Sequence, residues 1–152
     1  MLRTGPGGLA VFALAAICGC SGQESTYEVT GKVTMADGSP LNGGMVVFQA
    51  PRKPPAKGSI QPDGTYKLGT YEEGDGAVAG THQVTIVPPT PPNWNEKKQG
   101  VPPDVFDPKY RSFTTSGLTC DVTDDRTFDI GPLDPPPPPP DPPKKKRGTR
   151  RR

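Results

Sequence analysis

From residue 27 to residue 131 the apolar side chains recur at every second position, and no stretch shows the 3.6-residue period of an amphipathic helix. Tyr27, Val29, Val33 and Met35 alternate with Glu28, Thr30, Lys32 and Thr34, the pattern of a half-buried strand. Gly31 interrupts the apolar face where another backbone is expected to pack closely. Asp37-Gly38-Ser39-Pro40 supplies turn chemistry, and Met45-Val46-Val47-Phe48 reads as a second, more fully buried strand. Gly58-Ser59-Ile60 and Gly64 to Leu68 flank Pro62-Asp63-Gly64 and predict a hairpin. Thr81 to Val87 alternates again, with His82, Val84 and Ile86 on one side. Leu118, Cys120 and Val122 form another strand, and Phe128 with Ile130 closes the domain. The expectation is an all-β chain: one antiparallel β-sandwich of about seven strands, joined by Gly- and Pro-rich turns.

One stretch breaks the pattern. Residues 88–117 form a Pro-rich excursion, long for a loop in a compact domain, and carry Trp94, Phe106 and Tyr110. These three aromatics either line a glycan or peptide site or cap the open end of the sandwich, and packing is the favoured reading.

The first nineteen residues have the parts of an export signal. Arg3 gives a positive start, and Leu9 to Ile17 is an apolar run, too short to cross a bilayer at about 20 residues. Ile17-Cys18-Gly19-Cys20 then resembles the bacterial lipobox, with an aliphatic residue three before a cysteine and a small one just before it. The resemblance implies lipid on the Cys20 thiol and cleavage ahead of it. Cys18 fits less well, since bulky Ile17 precedes it; a Cys18–Cys20 disulfide or an ordinary cleavage site is the alternative. Two or three acyl chains hold a protein firmly, because each buried methylene contributes about 0.8 kcal/mol. Cleavage there leaves Cys120 as the one free thiol and no disulfide framework, so stability must come from an apolar core. Ser21-Gly22-Gln23 contains no Asp, so an inner and an outer membrane both stay open.

A net charge of +2 conceals an asymmetry. Cys20 to Leu133 holds ten Lys/Arg against fourteen Asp/Glu, which is no footprint of a nucleic-acid binder. Asp134 to Arg152 holds seven Lys/Arg against two Asp. The organisation expected is a signal over 1–19, a polar tether over 20–26, the sandwich over 27–131 and a proline-rich, basic tail over 132–152, with the N- and C-terminal segments disordered. In that tail Pro135 to Pro140 is unbroken, and residues 132–143 would span about 37 Å as polyproline II at about 3.1 Å per residue. Lys144, Lys145, Lys146, Arg147, Arg150, Arg151 and Arg152 follow as a basic end without core-forming residues. Docking to anionic lipid headgroups or to an acidic envelope polymer is one reading, and a solvated tail without a partner is the other.

The chain offers little for catalysis. One His, and no His-Glu-x-x-His pattern, speaks against a zinc site, and no metal or other cofactor is expected. Glu72, Glu73 and Asp75, and separately Asp121, Asp124, Asp125 and Asp129, lack EF-hand spacing and read as solvated turn carboxylates. No Gly-x-Ser-x-Gly setting surrounds Ser59 or Ser116, and Cys120, between Leu118 and Val122, reads as a buried inert thiol.

Taken in order, Tyr27 to Val33, Asp37 to Leu41, Val46 to Phe48, Asp63 to Leu68, Gly74 to Ala77, Gly80 to Ile86 and Tyr110 to Thr119 resemble one family. It is the carboxypeptidase regulatory-like domain, a transthyretin-like, Ig-like sandwich of bacterial lipoproteins, and the likeness covers residues 27–130. Gly38, Gly64 and Gly76 sit where tight turns need positive φ. The family places an aromatic or His at the position of His82, which implies a core-facing packing role there. It also implies a non-catalytic module. The expectation is therefore an envelope lipoprotein, anchored through its N-terminal lipid, serving as a structural or interaction module. The alternative is a glycan- or peptide-binding module that uses residues 88–117.

Overall fold

The computed structural model describes residues 22–99 and 102–138, and the chain is an all-β sandwich. The expected export signal over 1–19, Cys20 and the basic residues from Lys144 to Arg152 lie outside the described residues. Ten strands appear rather than about seven, because several are two to four residues long: β1 (Thr26–Tyr27), β2 (Val29–Met35), β3 (Met45–Gln49), β4 (Ala56–Ser59), β5 (Thr65–Lys67), β6 (Ala77–Val78), β7 (Gly80–Val87), β8 (Leu118–Val122), β9 (Arg126–Thr127) and β10 (Ile130–Leu133). One sheet runs β4-β3-β7-β8 and is antiparallel throughout. The facing sheet is centred on β2, with β5 antiparallel on one side and β9 and β10 on the other. A small β1–β6 pair closes one end.

The core is what the alternation predicts. Val29 and Val33 of β2, Val46 and Phe48 of β3, Val84 and Ile86 of β7, and Val122 of β8 are all fully buried. Phe48 is the hub, with Phe128 edge-on at 5.7 Å between ring centroids, His82 at 5.9 Å and Tyr66 at 6.5 Å. Each aromatic contact adds about 0.5–1.5 kcal/mol beyond area burial.

Three features depart from the sequence expectation. First, β2 pairs β9 and β10 in parallel, Val29 with Arg126 and Met35 with Leu133, so this sheet is mixed rather than antiparallel. Second, the β4–β5 hairpin is bonded only near its two ends, Gln61 N–H to Thr65 O at 2.8 Å and Lys57 N–H to Gly69 O at 2.9 Å. Between those points β4 joins β3 while β5 joins β2, so the hairpin stitches the two sheets along one side. Third, the folded body runs past residue 131: Leu133 is 1% exposed and is the last residue of β10. Its spacing of three from Ile130 reflects a shift in register, which carries the second buried side chain out of the period-two pattern.

Gly31 lies where the two halves of the sheet meet. A Cβ there would overlap the Phe128 carbonyl and lie 2.9 Å from the Tyr66 hydroxyl. The absent side chain lets that carbonyl accept the Tyr66 O–H at 2.5 Å. Gly31→Ala is therefore expected to destabilise the domain by at least about 3 kcal/mol, read from the urea midpoint.

Candidate interaction surface at the exit pole

The parallel register sets the geometry of the termini. β2 enters at Val29 beside Arg126 and ends at Met35 beside Leu133. The N-terminal segment thus arrives at one pole, and the C-terminal tail leaves from the opposite one. Six residue steps along β2 separate them by about 20 Å at about 3.3 Å each.

At the entry pole, Glu24 donates its backbone N–H to the Tyr71 hydroxyl at 3.1 Å and its carboxylate pairs with Lys53. At the exit pole, Asp134 is clasped from three directions. Its carbonyl accepts the Asp107 N–H at 2.9 Å, and its carboxylate accepts the Tyr110 O–H at 2.9 Å and pairs with Lys109. Lys109 first, and the Tyr110 hydroxyl next, hold the Asp134 carboxyl below its ordinary value. Beyond the clasp Pro135 to Pro138 are exposed and join no strand.

Residues 88–117 are more ordered than their composition suggests. A 3-10 turn, Pro108–Arg111, packs against β7, with the Asp107 carboxylate accepting the Lys109 N–H at 2.9 Å. Phe106 is fully buried, Tyr110 is 7% exposed, and the two rings meet edge to face at 6.2 Å. Both belong to the core cluster, so neither presents its ring to a ligand. Trp94 is only partly buried, and its backbone N–H donates to the Pro91 carbonyl at 3.1 Å. The structure therefore separates the three aromatics: Phe106 and Tyr110 are buried in the core, and Trp94 is only partly buried.

Beside that excursion is an apolar groove of about 670 Å³, walled by Gly44, Val87, Pro88, Pro89, Pro91 and Val105. Val87 and Val105, 43% and 37% exposed, are the large apolar side chains most open to solvent among the described residues. The groove lies at the exit pole, because Val87 pairs Met45 where Gly44 accepts the Ile60 N–H at 3.0 Å. Sequence reading missed Val87 and Val105. The one available signal was an alternating strand that runs straight into Pro88-Pro89.

A larger open groove of about 1190 Å³ follows the β4–β5 hairpin. Lys32, Lys57 and Lys67 line it together with Glu72, Glu73 and Asp129, so its walls carry both signs of charge. Lys67 is already paired with Glu28 at 2.8 Å. Asp75 accepts the N–H groups of Thr70, Tyr71 and Glu72, and Asp125 and Asp129 accept those of Glu28 and Lys32. These carboxylates are backbone acceptors. Among the described residues no three His, Cys, Asp or Glu side chains converge as metal ligands would.

His82 and Cys120 are cross-strand partners on β7 and β8, and both are buried. His82 Nε2 donates to the Val78 carbonyl at 2.7 Å, and its Nδ1 is buried without a hydrogen-bond partner among the described residues. Burial pushes the Cys120 thiol above its ordinary value, so it stays protonated near neutral pH. Among the described residues no helix is long and apolar enough to cross a membrane.

Compared with protein-family models, curated proteins and solved structures, the chain matches none.

Two measurements check this surface. Phe106→Ala is expected to cost about 3–5 kcal/mol of stability, with Trp94→Ala costing less than half as much, both by urea denaturation. The depressed Asp134 value means the clasp contributes fully above about pH 4 and is lost as pH falls through the folded value. Asp134→Asn should flatten that part of an acid titration of stability.

Proposed function

We propose that this protein is an exported lipoprotein whose lipid on Cys20 holds it to a membrane, and whose sandwich acts as a non-catalytic linking module of the cell envelope. Its basic tail reaches an acidic envelope polymer. The supporting observation is the parallel pairing of β2 with β9 and β10, which puts the start of β2 and the end of β10 at opposite poles. A body anchored at the entry pole carries its tail away from the anchoring bilayer, so a polymer beyond it is a better partner than that bilayer's own headgroups. The proline run adds reach, and seven Lys/Arg against two Asp from Asp134 onward supply attraction that salt screens. An all-β sandwich is what membership of the carboxypeptidase regulatory-like family would require, and we read the domain as a non-catalytic member.

The second reading, glycan or peptide binding through residues 88–117, draws on Trp94 and the Val87–Val105 groove. Envelope glycans that shift Trp94 fluorescence would favour it.

Two results are expected of the main reading. Metabolic labelling with a fatty-acid analogue marks the wild-type chain and not Cys20→Ala; label that persists in the variant removes Cys20 as the anchor. Replacing the seven basic tail residues by Gln reduces co-sedimentation with isolated cell-wall polymer at least tenfold, and raised salt does the same to the wild type. Unchanged sedimentation would remove the tail from the contact.

A further inference from the structure

We infer that the sandwich is a load-bearing link, loaded in shear between its anchored N-terminal end and its tail. The inference rests on the anchor-and-tail reading for the source of the load, and on the strand register for how the fold meets it.

Tension between the two ends draws β2 toward the entry pole and β9–β10 toward the exit pole. These segments are adjacent and parallel, so the pull slides one along the other instead of peeling them apart. The bonds joining them then lie across the direction of pull and share the load. They include Arg126 N–H to Glu28 O at 2.9 Å and Phe128 N–H to Thr30 O at 2.8 Å. Two more are made to carboxylates, Glu28 N–H to Asp125 at 2.7 Å and Lys32 N–H to Asp129 at 2.9 Å. Hydrogen bonds to an ionised acceptor are stronger than neutral ones, and here they flank the backbone bonds at the two ends of this stretch of the seam.

The seam is also keyed. The Phe128 carbonyl occupies the space left by Gly31, and a Cβ at Gly131 would likewise overlap the Thr34 hydroxyl and carbonyl oxygens. Sliding by one residue would drive the Phe128 carbonyl against side chains of β2 and pull its ring off Phe48. On its other side β2 is braced by β5 through Thr30, Gly31 and Lys32. The Asp134 clasp secures the point where the tail's pull arrives.

Single-molecule pulling of the full chain tests this. One form carries Cys18→Ala and is held by Cys20 and by a cysteine added after Arg152, which loads the seam in shear. The other carries Cys18→Ala, Cys20→Ala and Ala36→Cys and is held by residue 36 and the same C-terminal handle. Ala36 follows the end of β2 at the exit pole, so this second pull opens the seam from one end. Cys120, 4% exposed, stays clear of the handles.

The expected result is an unfolding force at least twofold higher in shear than in peeling. Asp129→Ala should lower the shear force more than the peeling force, and Asp129→Asn, which keeps an acceptor oxygen, should retain most of it. If Asp129→Ala does not fold, the comparison of the two pulls on the otherwise unaltered domain still decides. Equal forces in both geometries overturn the load-bearing role and leave the anchor reading standing. Absence of acyl label on the wild-type chain removes the anchor, and with it the load, at any force ratio.

Discussion

The fold depends on the neighbours of one strand. β2 is joined on one side by β5 and on the other by β9 and β10, and Gly31 lies near its middle. The Phe128 carbonyl enters the space a side chain would fill, accepts the Tyr66 O–H, and so ties β5, β2 and the C-terminal segment at one point. Behind that point, the Phe128 ring meets Phe48 of the opposite sheet. A single missing Cβ thus connects the local ladder to the packing of the two sheets. Burial raises the Tyr66 phenol well above its ordinary value, so its proton stays in place to make the bond.

How much of this was legible in the sequence follows from what repeats. Alternation is local, so β2, β3, β7 and β8, with their buried Val29, Val33, Phe48, Val84, Ile86, Cys120 and Val122, could be read directly. Gly31 was legible as a gap in an apolar face. Gly38, Gly64 and Gly76 have φ of 83°, 82° and 98°, as their turn settings required. Strand direction across a sheet is not local. Nothing in Arg126 to Leu133 states that these residues run beside β2 in the same sense, and that parallel pairing is what places the termini. Leu133 was lost for a related reason: a register shift moves it off the two-residue beat and into a segment whose composition already reads as tail.

The candidate site was less legible than the fold. Aromatic residues in a long Pro-rich stretch are ambiguous in one dimension, because packing and ligand contact use the same side chains. Burial resolves Phe106 and Tyr110 in favour of packing, and Trp94 alone of the three is only partly buried. The acidic loops show the same effect. Asp75, Asp125 and Asp129 look like surface charges, yet each accepts backbone N–H groups that would otherwise go unpaired at a turn or along β2. Their role depends on partners up to 97 positions away, which no spacing rule captures.

The boundary between body and tail has its own physical cause. β10 must reach Leu133 to bury it, and Asp134 must be held to keep β10 in register against Met35. From Pro135 onward a residue that lacks an N–H cannot donate to a ladder, and its fixed φ favours extended, solvated backbone. The ladder therefore stops at the clasp rather than fraying into a longer edge that could pair with another chain. β9 and β10 pair directly with β2, so the segment that closes the core is also the one that leads into the tail. Loosening Arg126 to Asp134 would uncover Val29 and Val33 and release the tail in one event. Exit position and core integrity are thus a single property of this sheet.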